Sequence, residues 1–264
     1  MDGEAAAPPG IDTSRAHPAR VYDYWLGGKD NFAADREAAE LALQAYPQLA
    51  QAVQANRKFL ARAVRYLTGE AGVRQFLDIG TGIPAADNTH DVAQAQAPEC
   101  RVVYVDNDPI VLSHARALLT GGSTAYLDED LRNVAEIIRA AAGILDFTRP
   151  VAVMLIGILQ CIPDEDDPVG IIKRLMDAVP AGSYLAISHP ASDIDIEGIR
   201  DLATRLNEFM PMRLRFRSRA EVAALFAGLE LVEPGVVRAP EWRPGSDADR
   251  ANPATVWGGV ARKN

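Results

Sequence analysis

Two glycines that are one residue apart follow the first predicted strand, and an acidic residue precedes them in the stretch Asp78-Ile79-Gly80-Thr81-Gly82. Glycines at this spacing let the chain turn sharply and leave bare backbone for a ligand. With Ala85 the stretch also fits G-x-G-x-x-A, a fingerprint of dinucleotide binding. A tight connection between a strand and a helix would use the same glycines. The motif alone therefore leaves a cofactor site and a purely structural turn open.

Acidic residues also stand where the second and third predicted strands end. Asp106 ends the second strand, and Asp108 occupies the N-cap position before Pro109 at the start of a helix. Asp106 is therefore free to accept both hydroxyls of an adenosine ribose, which NAD and S-adenosylmethionine share. Asp130 and Leu131 follow the third strand and suit the amino group and ring face of adenine. A solvated acidic turn has the same composition.

Together these acids favour S-adenosylmethionine over NAD. A dinucleotide site has no need of the carboxylate of Asp78. Pro84 removes an N–H near the start of the following helix, where a pyrophosphate requires donors. S-adenosylmethionine carries no phosphate to satisfy at that point. The sequence therefore predicts a site for S-adenosylmethionine formed by the ends of three strands.

The elements that must position these residues alternate between strand and helix from residue 74 onward. Short apolar strands are predicted at 75–79, 101–105, 124–127, 151–158, 183–188, 229–237 and 255–261. Helices between the first five strands predict a parallel sheet with right-handed crossovers. The last two strands have no helix between them, which permits an antiparallel pair at one edge. We therefore expect an α/β, Rossmann-like, doubly wound fold, whose ligands bind beyond the carboxyl ends of the strands.

Three parts are predicted along the chain. Residues 1–17 offer little apolar surface and predict a mobile tail, 18–72 predict a helical extension or lid, and 73–264 predict the cofactor-binding domain. In the extension, Tyr24 and Lys29 lie in an aromatic segment with two adjacent glycines. Aromatic faces attract a sulfonium through cation–π interaction, so these residues are candidates for contacting the cofactor. A helix corner packed for stability would explain the same segment.

The composition excludes several classes of protein. The net charge of −9 over 264 residues argues against a nucleic-acid partner, and no apolar run reaches the length of a membrane span. The N-terminus lacks the charged and apolar regions of a secretion signal. Cys100 and Cys161 lie far apart, and the consecutive acids at 164–167 suit a solvated helix start, so no metal site is predicted. We expect a cytoplasmic protein with a small-molecule partner, and the oligomeric state stays open.

Five longer stretches resemble one known family. They occupy residues 20–32, 76–84, 87–90, 103–109 and 162–168 and read RVYDYWLGGKDNF, FLDIGTGIP, DNTH, VYVDNDP and IPDEDDP. These stretches look like the actinobacterial S-adenosyl-L-methionine-dependent methyltransferase family known as DUF574, and the resemblance extends over about residues 11–262. It implies a class I methyltransferase fold with a seven-stranded sheet. It implies no particular methyl acceptor.

The resemblance also implies roles for individual residues. Gly80 and Gly82 would line the methionine part of the cofactor, and Asp106 would bind the ribose. Asn107 would flank the adenine ring, and the end of the fourth strand would lie beside the methyl group. The candidate cofactor-binding residues are Asp78, Gly80, Thr81, Gly82, Asp106, Asn107, Asp130, Leu131, Ile156, Gly157, Tyr24 and Lys29.

His189, which follows the fifth predicted strand, is the candidate general base, because an unperturbed histidine titrates close to neutral pH. A capping or core histidine is the more common use of this residue type. The sequence thus predicts a methyltransferase that acts on an unidentified small acceptor. A non-catalytic, S-adenosylmethionine-binding regulatory protein and an NAD-dependent oxidoreductase stay open as alternatives. An empty pocket beside the methyl group would favour the enzyme, and a filled one would favour the regulatory protein.

Overall fold

A computed structural model describes residues 12–118 and 122–264 of the chain. Most of the predicted tail, residues 1–11, lies outside the described residues. Within residues 12–17, Asp12 accepts hydrogen bonds from the backbone and the hydroxyl of Ser14, and Ala16 is buried. This short stretch therefore packs onto the body of the protein and leads directly into the first helix.

Three helices precede the sheet: α1 (Pro18–Trp25), α2 (Ala33–Ala45) and α3 (Leu49–Gly69). Helix α2 begins where Asp35 accepts a hydrogen bond from the backbone N–H of Phe32 at 2.8 Å, and it ends before Pro47, which cannot continue a helix. The sequence does not predict α1 as a separate helix. Pro18 occupies the first turn of α1, where its missing N–H costs nothing.

The strands are β1 (Gln75–Ile79), β2 (Arg101–Asp106), β3 (Thr124–Asp128), β4 (Ala152–Ile156), β5 (Tyr184–Pro190), β6 (Glu230–Leu231), β7 (Val237–Arg238) and β8 (Val256–Arg262). Their order in the sheet is β3-β2-β1-β4-β5-β8-β6, with β7 also paired to β8. Strands β1 to β5 run parallel, and β8 runs antiparallel to β5. The predicted doubly wound fold with an antiparallel edge is confirmed.

The sheet has eight strands within the described residues, one more than predicted. The difference arises in the predicted strand at 229–237, which the structure divides into β6 and β7. Between them the N–H of Gly235 donates to the carbonyl of Val232 at 2.8 Å, and Gly235 has a φ of +83°. A turn closed by a left-handed glycine therefore interrupts what the sequence suggests is one strand.

The remaining helices are α4 (Thr89–Gln96), α5 (Pro109–Leu118), α6 (Val134–Ala141), α7 (Pro168–Asp177), α8 (Ile196–Phe209), α9 (Arg219–Ala224) and α10 (Asp247–Arg250). The N-cap assigned to Asp108 is confirmed, since its carboxylate accepts from the N–H of Ile110 at 2.8 Å. A capping box of Ser218 and Glu221 opens α9. The sequence does not predict α6 and α10. None of the helices in the described ranges combines the length and apolar character needed to cross a bilayer.

Two apolar clusters cover the two faces of the sheet. Alternate residues of a strand point to opposite faces, and Leu77 accordingly belongs to a cluster with helices α6 and α7, whereas Phe76 belongs to a cluster with α3 and α4. A third cluster stands apart from both faces. It joins α1, α2, the start of α3, and α8. This third cluster builds a wall above the carboxyl ends of the parallel strands.

Candidate functional site

A cavity of about 340 Å³ lies at the carboxyl ends of β1, β2, β4 and β5. Its floor is the group of strand ends, and its walls come from α1, α3 and α8. The position agrees with the expectation that ligands bind beyond the carboxyl ends of a doubly wound sheet. One part of the lining is polar and the other apolar. We call them the polar half (residues 78–82, 105–107 and 129–132) and the apolar half, which is defined below.

The glycine turn forms the base of the polar half. Gly80 and Gly82 have φ values of +74° and +67°, which side chains with a Cβ adopt only with strain. A Cβ on Gly80 would collide with the side chain of Ile158, whereas a Cβ on Gly82 would meet nothing within 4 Å. Gly80 is therefore required by packing. Gly82 keeps a piece of backbone open toward the cavity.

Asp106 stands beside this turn and is only 8% exposed. Its Oδ2 accepts from the N–H of Gly82 at 2.8 Å, and its Oδ1 accepts from the N–H of Asp108 at 3.0 Å. Burial raises the pKa of the Asp106 carboxyl, and the two N–H donors work in the opposite direction. Each carboxylate oxygen has a further lone pair. Asp106 can therefore hold its position and still accept hydroxyl groups from a ligand.

Asp78 lies one layer deeper, and its side chain is almost completely buried. The hydroxyl of Thr89 donates to its Oδ2 at 2.6 Å. Burial raises the pKa of Asp78 to about 6, with Thr89 and Arg57 lowering it and Asp106 raising it. A buried carboxylate of this kind favours a cationic partner.

The far end of the polar half contains Asn107, Asp130 and Leu131, as predicted. Asp130 is not free, because Arg132 pairs with it at 2.9 Å and the amide of Asn107 lies 3.4 Å from its Oδ2. Arg132 also reaches Asp166 at 2.7 Å. Leu131 is buried and supplies an apolar surface. Sequence reasoning missed Arg132, whose pairing partner on the segment before α7 is distant in the chain.

A hydrogen-bonded cluster joins the two halves at the end of β4. The amide of Asn56 donates to the hydroxyl of Tyr22 at 3.0 Å, while its carbonyl oxygen accepts from the hydroxyl of Ser188. The amide of Gln160 donates to the carbonyl of Gly157, which fixes the orientation of this side chain. The other atom of that amide group, Oε1, is buried without a hydrogen-bond partner among the described residues.

Sequence reasoning missed Asn56 and Gln160. A signal for Asn56 was available: it lies on the face of α3 that also carries Leu49, Val53 and Leu60, where a polar residue is unexpected. Gln160 gives no such signal, because it lies in a short turn after β4. Ile156 and Gly157, which the sequence places beside the methyl group, do line the cavity at this point.

His189 lies within β5 and not after it, and its side chain is fully buried. Its Nδ1 lies 2.9 Å from the carbonyl of Pro190, and its Nε2 lies 3.0 Å from Nη1 of Arg217. Because an arginine only donates and a carbonyl only accepts, the proton is assigned to Nδ1. Burial lowers the pKa of His189 to about 4, and Arg217 adds to this. Both ring nitrogens are thus occupied by protein groups.

Tyr24 and Lys29 do not line the cavity, contrary to the prediction for the lid. The hydroxyl of Tyr24 donates to Glu40 at 2.9 Å, and Lys29 is exposed. Tyr22 and Trp25 line the cavity instead. Residues three apart share one face of a helix, so these two can face the site together while Tyr24 points to another side. The sequence selects Tyr24 from the aromatic residues of this segment, whereas the structure places Tyr22 and Trp25 against the cavity.

The apolar half of the cavity is enclosed by α1, α3, α8 and the segment after α8. Its lining residues are Trp25, Leu49, Val53, Cys161, Ile199, Leu202, Leu206, Met210, Met212, Leu214 and Phe216. Most of them belong to the third apolar cluster. The cluster therefore has a hollow where it meets the strand ends, and this hollow adjoins the hydrogen-bonded cluster around Gly157.

Comparison with known proteins gives a family and a fold. A family model described as S-adenosyl methyltransferase matches residues 4–264. The solved structure of a DUF574 family protein from Streptomyces avermitilis MA-4680 is 45% identical, with 96% of this chain and 99% of that chain covered and a TM-score of 0.92. A protein from Thermobifida fusca YX, provisionally assigned as a methyltransferase, is 41% identical over 99% of this chain and 100% of its own, also with a TM-score of 0.92.

A more distant structure agrees in fold alone. The plantazolicin methyltransferase BpumL, solved with S-adenosylhomocysteine, is 11% identical, with 93% of this chain and 95% of that chain covered and a TM-score of 0.52. No curated protein sequence matches the chain.

Proposed function

Because the chain belongs to the S-adenosyl methyltransferase family and is an S-adenosylmethionine-dependent methyltransferase, we propose that its acceptor is a small molecule with a largely apolar body. The observation that carries this proposal is the apolar half of the cavity, which adjoins Gly157 at the end of β4. Burying apolar surface there stabilises a bound molecule by ~25 cal/mol per Å². A hollow beside the predicted methyl position also favours an enzyme over a regulatory protein.

The residues of the polar half fit the cofactor. Gly82 leaves backbone open to the cavity, Asp106 has lone pairs for two ribose hydroxyls, and Leu131 offers an apolar face to adenine. Asp78 suits the ammonium group of the methionine part. Pro84 leaves no N–H where a pyrophosphate would need one. When bound, the cofactor supplies an electrophilic methyl group on a sulfonium.

Gln160 supplies the polar contact that would orient the acceptor. Its Oε1 is buried without a partner, and an unpaired buried carbonyl costs about 1–3 kcal/mol. An N–H or O–H group of the acceptor would satisfy this oxygen beside Gly157. We therefore infer an acceptor whose nucleophilic nitrogen or oxygen carries, or adjoins, a hydrogen-bond donor.

We propose that His189 positions this contact and does not act as a general base. Arg217, held by Nε2 of His189, donates to the carbonyls of Leu159 and Ile162, which flank Gln160. Tyr22 is also engaged, because it contacts Asn56, and burial raises its pKa. Alignment of the reactants and exclusion of water then carry the reaction.

The part of the chain before the sheet is proposed to cover the site. Val21, Tyr22 and Trp25 line the cavity, which supports a lid formed by residues 18–72. If removal of residues 1–32 left a folded protein with unchanged affinity for S-adenosylhomocysteine, the lid would be excluded. We also propose a cytoplasmic location, since Cys100 and Cys161 are free thiols and suit a reducing compartment; recovery of the protein only from secreted fractions would contradict this.

A panel of acceptors tests the proposed function. The protein is incubated with methyl-labelled cofactor and a library of small amines, phenols and alcohols with apolar bodies, with nucleic acid and peptides as comparison substrates. We expect label on members of the library that have an N–H or O–H donor, and a loss of about 10-fold or more in kcat/KM for Gln160→Leu. The exposed Gln51→Leu is the matched control. Label on nucleic acid or peptides alone would overturn the proposal.

A further inference from the structure

Arg57 is a charged side chain in the wall of the cavity that the reaction as described does not use. It follows Asn56 on α3 and lines the cavity above the glycine turn. Its Nη2 donates to the carbonyl of Ala86 at 2.8 Å and to Oδ1 of Asn88 at 3.2 Å. These contacts anchor one side of the guanidinium to the loop before α4.

The guanidinium of Arg57 has a buried N–H group without a hydrogen-bond partner in the part of the chain that the structure describes. Nε of Arg57 is buried and has no hydrogen-bond partner among the described residues. No carboxylate in the described ranges is recorded within ion-pair distance of Arg57. The guanidinium of an arginine is a cation with planar N–H donors. A buried donor on a charged group is costly to leave unpaired, so the geometry favours an anionic ligand at this point.

An anionic group is expected in the polar half of the cavity and not in the apolar half. The apolar half offers no complement to an anion, because apolar side chains dominate its lining. The cofactor brings one negatively charged group to the site, the α-carboxylate of its methionine part. This part lies over the glycine turn under the proposed function, and Arg57 stands above that turn on α3.

We propose that Arg57 binds the α-carboxylate of S-adenosylmethionine through its unpaired Nε, an inference that rests on the placement of the cofactor in the polar half. The Nε–H can donate one charge-assisted hydrogen bond to a carboxylate oxygen, while both hydrogens of Nη2 stay on Ala86 and Asn88. Asp78 supplies the opposite charge for the ammonium group. Arg57 and Asp78 then recognise the two ends of the zwitterion, and Asp106 recognises the ribose independently of both.

Calorimetry with two ligands tests this assignment without any acceptor. S-adenosylhomocysteine carries the carboxylate, and S-adenosyl-3-thiopropylamine is the same molecule without it. The wild type is expected to bind S-adenosylhomocysteine about 10- to 100-fold more tightly, as for hydrogen bonds to a charged group. Arg57→Gln is expected to abolish that preference while changing the affinity for the decarboxylated ligand less than about 2-fold. Arg57→Lys should restore part of the preference, because it keeps the charge without the directed Nε–H.

Arg65→Gln is the matched control, since Arg65 is exposed on the same helix; it should leave both affinities unchanged. Equal weakening of the two ligands by Arg57→Gln would overturn the assignment and show that Arg57 only holds the loop at 86–88. Unchanged affinity for both would overturn it as well. If Arg57→Gln does not fold, the ligand preference of Arg57→Lys decides, and a full wild-type preference contradicts the proposal. A wild type that binds neither ligand would instead contradict the cofactor site itself.

Discussion

The two halves of the cavity are built in different ways. The polar half consists of short stretches at the carboxyl ends of β1, β2 and β3, and backbone N–H groups in these stretches donate to the carboxylates of Asp106 and Asp130. The apolar half consists of single side chains from α1, α3, α8 and the segment after α8, which lie far apart in sequence. The shape of the polar half depends on where the strands end, and the shape of the apolar half depends on how the helices pack.

Because of this difference, related proteins can keep the polar half for the cofactor and vary the apolar half. A strand end in a parallel sheet has a fixed position, so the residues that follow it can specify one cofactor. A hollow between helices changes with every substitution in its lining. We therefore expect the polar half to govern cofactor affinity and the apolar half to govern acceptor choice. Four substitutions test this division.

Asp106→Asn is expected to weaken binding of S-adenosylhomocysteine by roughly 300-fold, or about 3.4 kcal/mol. Both carboxylate oxygens accept backbone N–H groups, from Gly82 and Asp108. An amide must turn its NH₂ toward one of these donors, and it also loses the charge that holds the ribose hydroxyls. Calorimetry measures the change. Asp128→Asn, at the exposed end of β3, is the control, and an equal loss in both variants would contradict the role of Asp106.

His189→Gln tests how the buried imidazole of His189 affects the stability of the protein in acid. The folded-state pKa of His189 is lowered from 6.5 to about 4. Its contribution to stability is therefore present above pH 6.5 and is lost as the pH falls toward 4. The wild type should lose about 3 kcal/mol of unfolding free energy relative to the variant between pH 7 and pH 4. Urea denaturation at several pH values measures this, and parallel curves for the two proteins would show that His189 is not buried as described.

Asp78→Asn should show the opposite dependence on pH. The folded-state pKa of Asp78 is raised from 3.8 to about 6, so its favourable contribution is present below pH 3.8 and is lost as the pH rises through 6. The unfolding free energy of the wild type should fall relative to that of the variant by about 2–3 kcal/mol between pH 4 and pH 7. The same denaturation series measures it. If the difference in unfolding free energy between wild type and variant changed with pH in the same direction for Asp78→Asn and His189→Gln, the opposite pKa shifts of these two residues would be contradicted.

Leu202→Ala should lower the free energy of unfolding by about 2 kcal/mol, near the lower end for buried leucines, because the side chain already borders a hollow. Leu202 is 2% exposed in α8. Affinity for S-adenosylhomocysteine should stay within about 2-fold of the wild type. Denaturation and calorimetry measure the two quantities. Leu231→Ala, at a leucine that is 40% exposed, should change stability by less than about 0.5 kcal/mol. A large loss of cofactor affinity in Leu202→Ala would contradict the division of the cavity.

Predictions that rest on local sequence patterns and predictions that depend on helix packing have different outcomes. The strand at Gln75–Ile79 is confirmed with the predicted bounds, because a strong local pattern specifies it. The S-adenosylmethionine cofactor and the methyltransferase class are confirmed as well. The division into three parts, the roles of the single site residues and the small acceptor stay predictions. Tyr24 and Lys29 lie outside the cavity, because the orientation of α1, and of the turn after it that carries Lys29, depends on the packing of α1 against α2 and α3.

By itself, the sequence determined the order of the strands in the chain, the turn at Gly80 and Gly82, and the acids at the strand ends. These features depend on residues that are neighbours in the chain, so periodicity and composition reveal them. The tertiary structure alone shows that Asn56 reaches the end of β4, that Arg57 reaches the loop before α4, and that Arg217 encloses His189. Contacts between distant segments depend on how helices and sheet pack, and no local pattern records that packing.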